Sequence, residues 1–112
     1  MSKNSLLKNE ELRRGEYLLS NNGKWKAVFQ DDGNFVLYDD GRAVWASNTC
    51  GSGGFRLCMQ SDCNLVIYNR GNKPKWATNT YQSKEVEMCR VTLTDDGKLR
   101  LYRDEQIWSS AN

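Results

Sequence analysis

Three segments of this chain can be laid over one another: KAVFQDDGNFVLYDDGRAVWASNT, RLCMQSDCNLVIYNRGNKPKWATNT and RVTLTDDGKLRLYRDEQIWSSAN. Each places a tyrosine at one point (Tyr38, Tyr68, Tyr102) and a tryptophan farther on (Trp45, Trp76, Trp108), so the period is 30 to 34 residues. A repeat of that length is one supersecondary unit that cannot bury its own apolar face, and at least three must associate to make a core. The 112 residues are therefore read as one domain, 1–112, with repeats at approximately 16–49, 50–80 and 81–112.

Each copy reads as strand, turn, strand, turn, strand. In copy one, Trp25 to Gln30 is a strand, Asp31 to Gly33 a turn and Asn34 to Tyr38 a strand. A second turn at Asp40-Gly41 leads to a strand around Ala43 to Ala46. Asp-Gly suits the positive φ of hairpin turns, and the Asp carboxylate can close the turn itself. Gly15 to Ser20 adds a strand before copy one. The other two copies need fourth strands, and the loops around 47–54 and 78–86 are expected to hold them. The expected fold is all-β: three four-stranded antiparallel sheets packed as a triangular prism, with one tryptophan per sheet plugging the core. Tetratricopeptide and ankyrin repeats share the period but are helical, and a propeller blade is longer.

Composition agrees. The chain is 38% hydrophobic with nine Gly and a mean hydropathy of −0.76, which argues against one thick helical core. Sixteen basic and fourteen acidic residues leave a net charge of +2. That gives no electrostatic case for nucleic acid or an anionic membrane. The absence of histidine removes His-based triads and most catalytic zinc sites. Met1 to Arg14 holds no apolar stretch of signal-peptide length, and no segment approaches a membrane span. The spacings of Cys50, Cys58, Cys63 and Cys89 do not form the paired knuckles of a zinc site. Two disulfides and an oxidising destination are expected, with free thiols in a cytosolic protein as the alternative.

Alternation along NFVLY puts Asn34, Val36 and Tyr38 on one face and Phe35 and Leu37 on the other. Copy two repeats this with Asn64, Val66 and Tyr68 against Leu65 and Ile67. The Phe/Leu/Ile face belongs to the core, so the Asn/Val/Tyr face looks outward. Gln30 and Asp32 lie beside it across the hairpin. Fixed donors and acceptors around a small apolar floor suit a polyol, because Asp accepts from two hydroxyls while Asn, Gln and Tyr both donate and accept.

The pattern Gln-x-Asp-x-Asn-x-Val-x-Tyr, with the tails Trp45–Thr49 and Trp76–Thr80, closely resembles the bulb-type (monocot mannose-binding) lectin family. Within it the chain looks most like the animal branch found in fish skin mucus. The resemblance implies a β-prism II fold with pseudo-threefold symmetry. It further implies calcium-independent binding of terminal mannose on glycans, without a cofactor or metal. The implied sites are Gln30, Asp32, Asn34, Val36 and Tyr38, and Gln60, Asp62, Asn64, Val66 and Tyr68. In the family, Asp and Asn take the axial 2-hydroxyl, Gln the 3-hydroxyl and Tyr the 4-hydroxyl, while Val packs on the ring. Copy three departs: Thr94, Asp96, Lys98, Arg100 and Tyr102 occupy these positions. Two cations stand where an amide and an apolar floor are needed, so no mannose binding is expected there.

The resemblance also suggests a disulfide between two repeat positions, occupied by Trp25, Phe55 and Cys89 and by Gly33, Cys63 and Gly97. Cys63–Cys89 is the pairing it favours here. Cys50 and Cys58 flank the glycine-rich loop Gly51 to Gly54 and are expected to close it. Multivalent glycan binding in innate defence, a homodimer with exchange of the C-terminal segment Ile107–Asn112, and an extracellular destination such as mucus complete the expectation. A cytoplasmic location stays open, as no leader is visible.

Three other readings fit the sequence less well. Paired carboxylates for glycoside hydrolysis at Asp31/Asp32 or Asp39/Asp40 fail because copy two has Ser61 and Asn69 in place of Asp31 and Asp39. A calcium loop lacks EF-hand spacing. A protein-binding or inhibitory prism with little sugar dependence is the alternative function, and two intact motifs argue against it.

Overall fold

The computed structural model describes residues 3–83, 87–103 and 106–110. Its strands are β1 (Ser5–Leu7), β2 (Glu11–Arg13), β3 (Tyr17–Leu19), β4 (Trp25–Phe29), β5 (Phe35–Asp39), β6 (Arg42–Ala46), β7 (Gly54–Met59), β8 (Leu65–Asn69), β9 (Pro74–Ala77), β10 (Arg90–Leu93), β11 (Leu99–Tyr102) and β12 (Gln106–Ser109). They form three four-stranded sheets, ordered β3-β4-β5-β6, β2-β7-β8-β9 and β1-β10-β11-β12. Neighbouring strands pair antiparallel in the registers that follow.

The first sheet's fourth strand, β3, lies within the expected Gly15 to Ser20, but the origin of the other two corrects the sequence-based expectation. They do not come from the loops around 47–54 and 78–86, of which residues 84–86 lie outside the described residues. All three come from the first twenty residues: β1 pairs with β10, β2 with β7 and β3 with β4. The N-terminal segment therefore visits the three sheets in turn. It is itself a six-residue repeat. Leu6, Leu12 and Leu18 are buried in the core, and Asn9 and Gly15 take positive φ between the strands. The carboxylates of Glu10 and Glu16 accept hydrogen bonds from Leu7 N (2.8 Å) and Arg13 N (2.7 Å). One leucine per short strand suffices to seal each sheet's edge against the core.

The alternation of β5 and β8 is as expected: Phe35, Leu37, Leu65 and Ile67 are buried inward. The tryptophans need an extra device. Leu37 pairs with Trp45 and Tyr38 with Ala43, so Val44 is an additional residue on β6. The same shift occurs before Trp76 and Trp108. Without this bulge each tryptophan would fall on the outward face, since a one-residue slip reverses every side chain. With it, the three rings meet edge to face, with centroids 5.9, 5.9 and 6.1 Å apart.

A second contact set joins neighbouring repeats. The turn positions Gly33, Cys63 and Gly97 all take positive φ, at 85°, 70° and 81°. Cys63 is bridged to Cys89 as expected, with Cα atoms 5.5 Å apart. Gly97 lies against Trp25, where an added Cβ would come within 2.6 Å of the ring. Trp25 Nε1 donates to Asp95 O at 2.9 Å in the same contact. Gly33 lies against the Gly54 backbone. The expected Cys50–Cys58 bridge is absent, and both are free thiols. Cys58 pairs with Val66 and Glu11 on one sheet, whereas Cys50 sits at the β4–β5 turn of another, its thiol donating to Asp32.

Two mutational tests follow from these contacts. Gly41 also has positive φ but has nothing near its missing Cβ. Gly41→Ala should cost only the left-handed penalty of about 1–2 kcal/mol, and Gly97→Ala a further 1–3 kcal/mol for overpacking against Trp25, roughly. Equal losses in denaturant unfolding would contradict the Gly97–Trp25 contact. Removing the bridge with Cys63→Ser and Cys89→Ser should cost about 3 kcal/mol for a loop of 26 residues.

Candidate functional site

The hairpin between β4 and β5 is a three-residue loop ending in a left-handed residue, rather than a two-residue Asp-Gly turn. Gln30 N donates to Asn34 O (2.8 Å) and Gly33 N to Gln30 O (3.0 Å). Asp32 Oδ1 accepts from Asn34 N at 3.0 Å, so one carboxylate oxygen holds the loop. The Asp40-Gly41 turn differs, with positive φ at both residues, as a type I′ turn requires.

The hairpin brings the five expected residues together. Gln30 Nε2 donates to Tyr38 Oη across the strands. Asn34 Oδ1 accepts from Thr49 N (3.1 Å) and Ser47 Oγ (3.1 Å). Thr49 Oγ1 donates in turn to Gly33 O at 2.7 Å. These bonds occupy the asparagine carbonyl and leave its Nδ2 group as the available donor. Val36 lies between Val28 and Ala46 in the register and is only 4% exposed. It is the floor of the site, mostly covered by its neighbours.

The second face is wired the same way. Asn64 N donates to Asp62 Oδ1 at 3.0 Å, and Gln60 Nε2 donates to Tyr68 Oη. Asn64 Oδ1 accepts from Thr80 N (3.2 Å) and Thr78 Oγ1 (3.3 Å), while Thr80 Oγ1 donates to Cys63 O (2.6 Å). Val66 is 3% exposed. The residues that sequence reasoning gave no role are thus Ser47, Thr49, Thr78 and Thr80. The signal was present in the recurring Trp-Ala-Ser/Thr-Asn-Thr tails, whose hydroxyls fix the asparagine.

The third face brings Thr94, Asp96, Lys98, Arg100 and Tyr102 together, with a different internal arrangement. Thr94 Oγ1 donates to Asp96 Oδ1, and Arg100 Nη2 donates to Asp96 Oδ2 at 3.3 Å. Lys98 Nζ lies 3.9 Å from the same oxygen. The carboxylate is engaged on both sides by its own strand neighbours. The Thr94 hydroxyl, aided by Arg100 and Lys98, holds the Asp96 carboxyl below its ordinary value.

Two thiols border the intact sites. Cys50 is exposed beside the first, and its thiol donates to Asp32 Oδ2 at 3.3 Å. That bond, with the carboxylate's charge, pushes the Cys50 thiol up. Cys58 lies buried beside the second, pushed up chiefly by burial. Among the described residues no group of His, Cys, Asp or Glu is arranged to hold a metal.

Fold and faces together define a β-prism II protein with two matched polar sites and a diverged third. No protein-family model matches the chain. It is 54% identical over 108 residues to the B-type lectin plumieribetin of Scorpaena plumieri, covering 96% of this chain and 94% of that one. Among solved structures it is similar to a monomeric monocot mannose-binding lectin from Gastrodia elata, at 35% identity and a TM-score of 0.90 over 98% of both chains. It is also similar to the mannose-specific agglutinin of snowdrop, Galanthus nivalis, complexed with methyl-α-D-mannoside. That match has 37% identity and a TM-score of 0.83 over 98% of this chain and 97% of that one. The chain belongs to the bulb-type lectin family, a family of carbohydrate-binding proteins that are not enzymes.

Two measurements check the site's local chemistry. Iodoacetamide should label Cys50 well before buried Cys58, with Cys63 and Cys89 unlabelled by peptide mapping. An NMR titration should find the Asp96 carboxyl below the ordinary aspartate value of about 4, and Thr94→Val should raise it. A group depressed in this way favours the folded state above its unfolded pKa, and that contribution is lost as pH falls through the folded value.

Proposed function

We propose that this protein is a calcium-independent lectin for terminal mannose on glycans, binding through the first and second faces. The observation that carries the reading is the duplicated wiring. On both faces the asparagine carbonyl is held by a tail hydroxyl and a tail N–H, and one aspartate oxygen is held by the turn. What remains on each face is an asparagine N–H donor, an aspartate acceptor (on the first face shared with the Cys50 thiol), and a glutamine–tyrosine pair above a valine. An axial 2-hydroxyl can receive from the asparagine and donate to the aspartate at once, and its equatorial epimer points elsewhere. The glutamine and tyrosine are placed for the next two hydroxyls. The third face offers no matching set, because Lys98 and Arg100 stand where the asparagine donor and the valine floor are needed, and the two cations lie 3.9 and 3.3 Å from Asp96 Oδ2.

A shallow site of this kind binds one sugar weakly, and millimolar affinity corresponds to about −4 kcal/mol. Useful binding of a glycan-coated surface then comes from several sites on one scaffold. Two sites per chain and a homodimer are the proposed arrangement, acting outside the cell in innate defence. β12 is an edge strand paired to β11 of its own chain, and exchange of this strand between two copies is the proposed route to the dimer. Ala111 and Asn112, the end of the expected exchange segment, lie outside the described residues.

The test is glycan-array binding of the wild type against the double variant Asp32→Asn, Asp62→Asn. Loss of mannose-glycan binding to background is expected. Equal binding by the double variant would overturn the site assignment, and wild-type binding that ignores mannose would favour a protein-binding prism. Excess EDTA should leave wild-type binding unchanged.

A further inference from the structure

The two intact sites share their motif but not their surroundings. On the outward face the register runs Tyr17, Val28, Val36, Ala46 across the first sheet. Across the second it runs Glu11, Cys58, Val66, Ala77. Glu11 therefore stands two strands from the floor of its site, about 10 Å away at ordinary strand spacing. That distance leaves room for one further pyranose ring beside the first.

The side chains there are held in place. Glu11 is 31% exposed, and Arg56 Nη1 lies 3.6 Å from its Oε1. Arg13 Nε donates to Oε2. The Arg56 guanidinium spreads over the Tyr68 ring, 4.9 Å from its centroid, while Nη2 donates to Asn72 Oδ1 at 2.9 Å. Arg56 thus joins Glu11 to a motif residue. At the first site the corresponding Lys26 ammonium lies 4.1 Å over the ring of Tyr17, the aromatic residue that stands in Glu11's register position.

The cavities show the same asymmetry. At the second site a cavity of about 440 Å³ continues from Gln60, Asp62 and Tyr68 to Glu10, Glu11 and Arg56. At the first, a cavity of similar volume, about 480 Å³, is lined by Gly15, Val28, Gln30, Asp31 and Asp32, so the two differ in lining rather than size, and Tyr17, in Glu11's register position, is not among its walls.

Resting on the mannose reading above, we propose that the second site is an extended groove for a neutral oligosaccharide, and that Glu11 is its specificity-determining residue. Its carboxylate accepts from hydroxyls of a second sugar, as Asp62 does from the first. Three carboxylates against one guanidinium in the lining disfavour an anionic sugar. The first site, flanked by Tyr17 and Val28, reads the terminal residue alone.

The experiment uses single-site variants titrated calorimetrically with methyl α-mannoside and with α1–3- and α1–6-linked dimannosides. In Asp32→Asn, which reports the second site, the better dimannoside should bind about five- to tenfold tighter than the monosaccharide, the gain expected of about one net hydrogen bond. Adding Glu11→Ala should bring that ratio near one while monosaccharide affinity stays within about twofold. Glu11→Gln, which keeps the shape, should retain part of the ratio. In Asp62→Asn the ratio should be near one with or without Glu11. Equal ratios at the two sites, or a Glu11 effect equal on both sugars, would overturn this inference while leaving the mannose reading intact. Loss of monosaccharide binding by both single-site variants would overturn both.

Discussion

The fold depends on three tryptophan rings meeting edge to face on the pseudo-threefold axis. Edge-to-face pairs of this kind contribute roughly 0.5–1.5 kcal/mol each beyond the area they bury. Their larger role is to give three small sheets one common core. No four-stranded sheet here covers its own apolar face, and each finds cover only by contributing its ring to the shared cluster. The bulge before each tryptophan is what makes this possible, because it turns the ring inward while leaving the preceding tyrosine outward. One local irregularity, repeated three times, thus serves the core and the outer faces together.

The sites inherit their geometry from that scaffold. The left-handed residue closing each hairpin touches the neighbouring repeat, by a glycine–glycine approach, a disulfide and a glycine–tryptophan contact. The aspartate of each motif stands directly before that residue. Packing between repeats and placement of the carboxylate are therefore coupled through the same three-residue loop. On the two intact faces the tail after the tryptophan completes the device by turning the asparagine so that its amide nitrogen is the donor left over. On the third face the loop survives, but Lys98 and Arg100 replace the amide and the valine and turn their charges onto Asp96, so the same backbone carries no matching set.

Much of this was legible because it repeats. Period, turn chemistry and alternation exposed the three sheets, the inward Phe35/Leu37 and Leu65/Ile67, and the grouping of the motif residues. The Cys63–Cys89 bridge followed from the family resemblance. Of the outer strands, β3 lies within the expected Gly15 to Ser20, whereas β1 and β2 were missed because each spans three residues, too short for a clear alternation signal. Their real signature was the six-residue spacing of Leu6, Leu12 and Leu18, a second and shorter repeat. The Cys50–Cys58 pairing failed because proximity in sequence across a glycine-rich loop does not reveal that the two residues face different sheets. Glu11 was invisible as a site neighbour for a similar reason: it reaches Arg56, and through it Tyr68, only because β2 pairs with β7.

The central claim is that two faces are wired to receive a sugar and the third is not. The most direct measurement is an NMR titration of the wild type with methyl α-mannoside, following the side-chain amide signals of Asn34 and Asn64 and the backbone signals of Thr94 to Tyr102. The account predicts saturable shifts at both asparagine amides, with a stoichiometry of two per chain and a silent third face. Saturation at one site, shifts along Thr94 to Tyr102, or unmoved asparagine amides would contradict it.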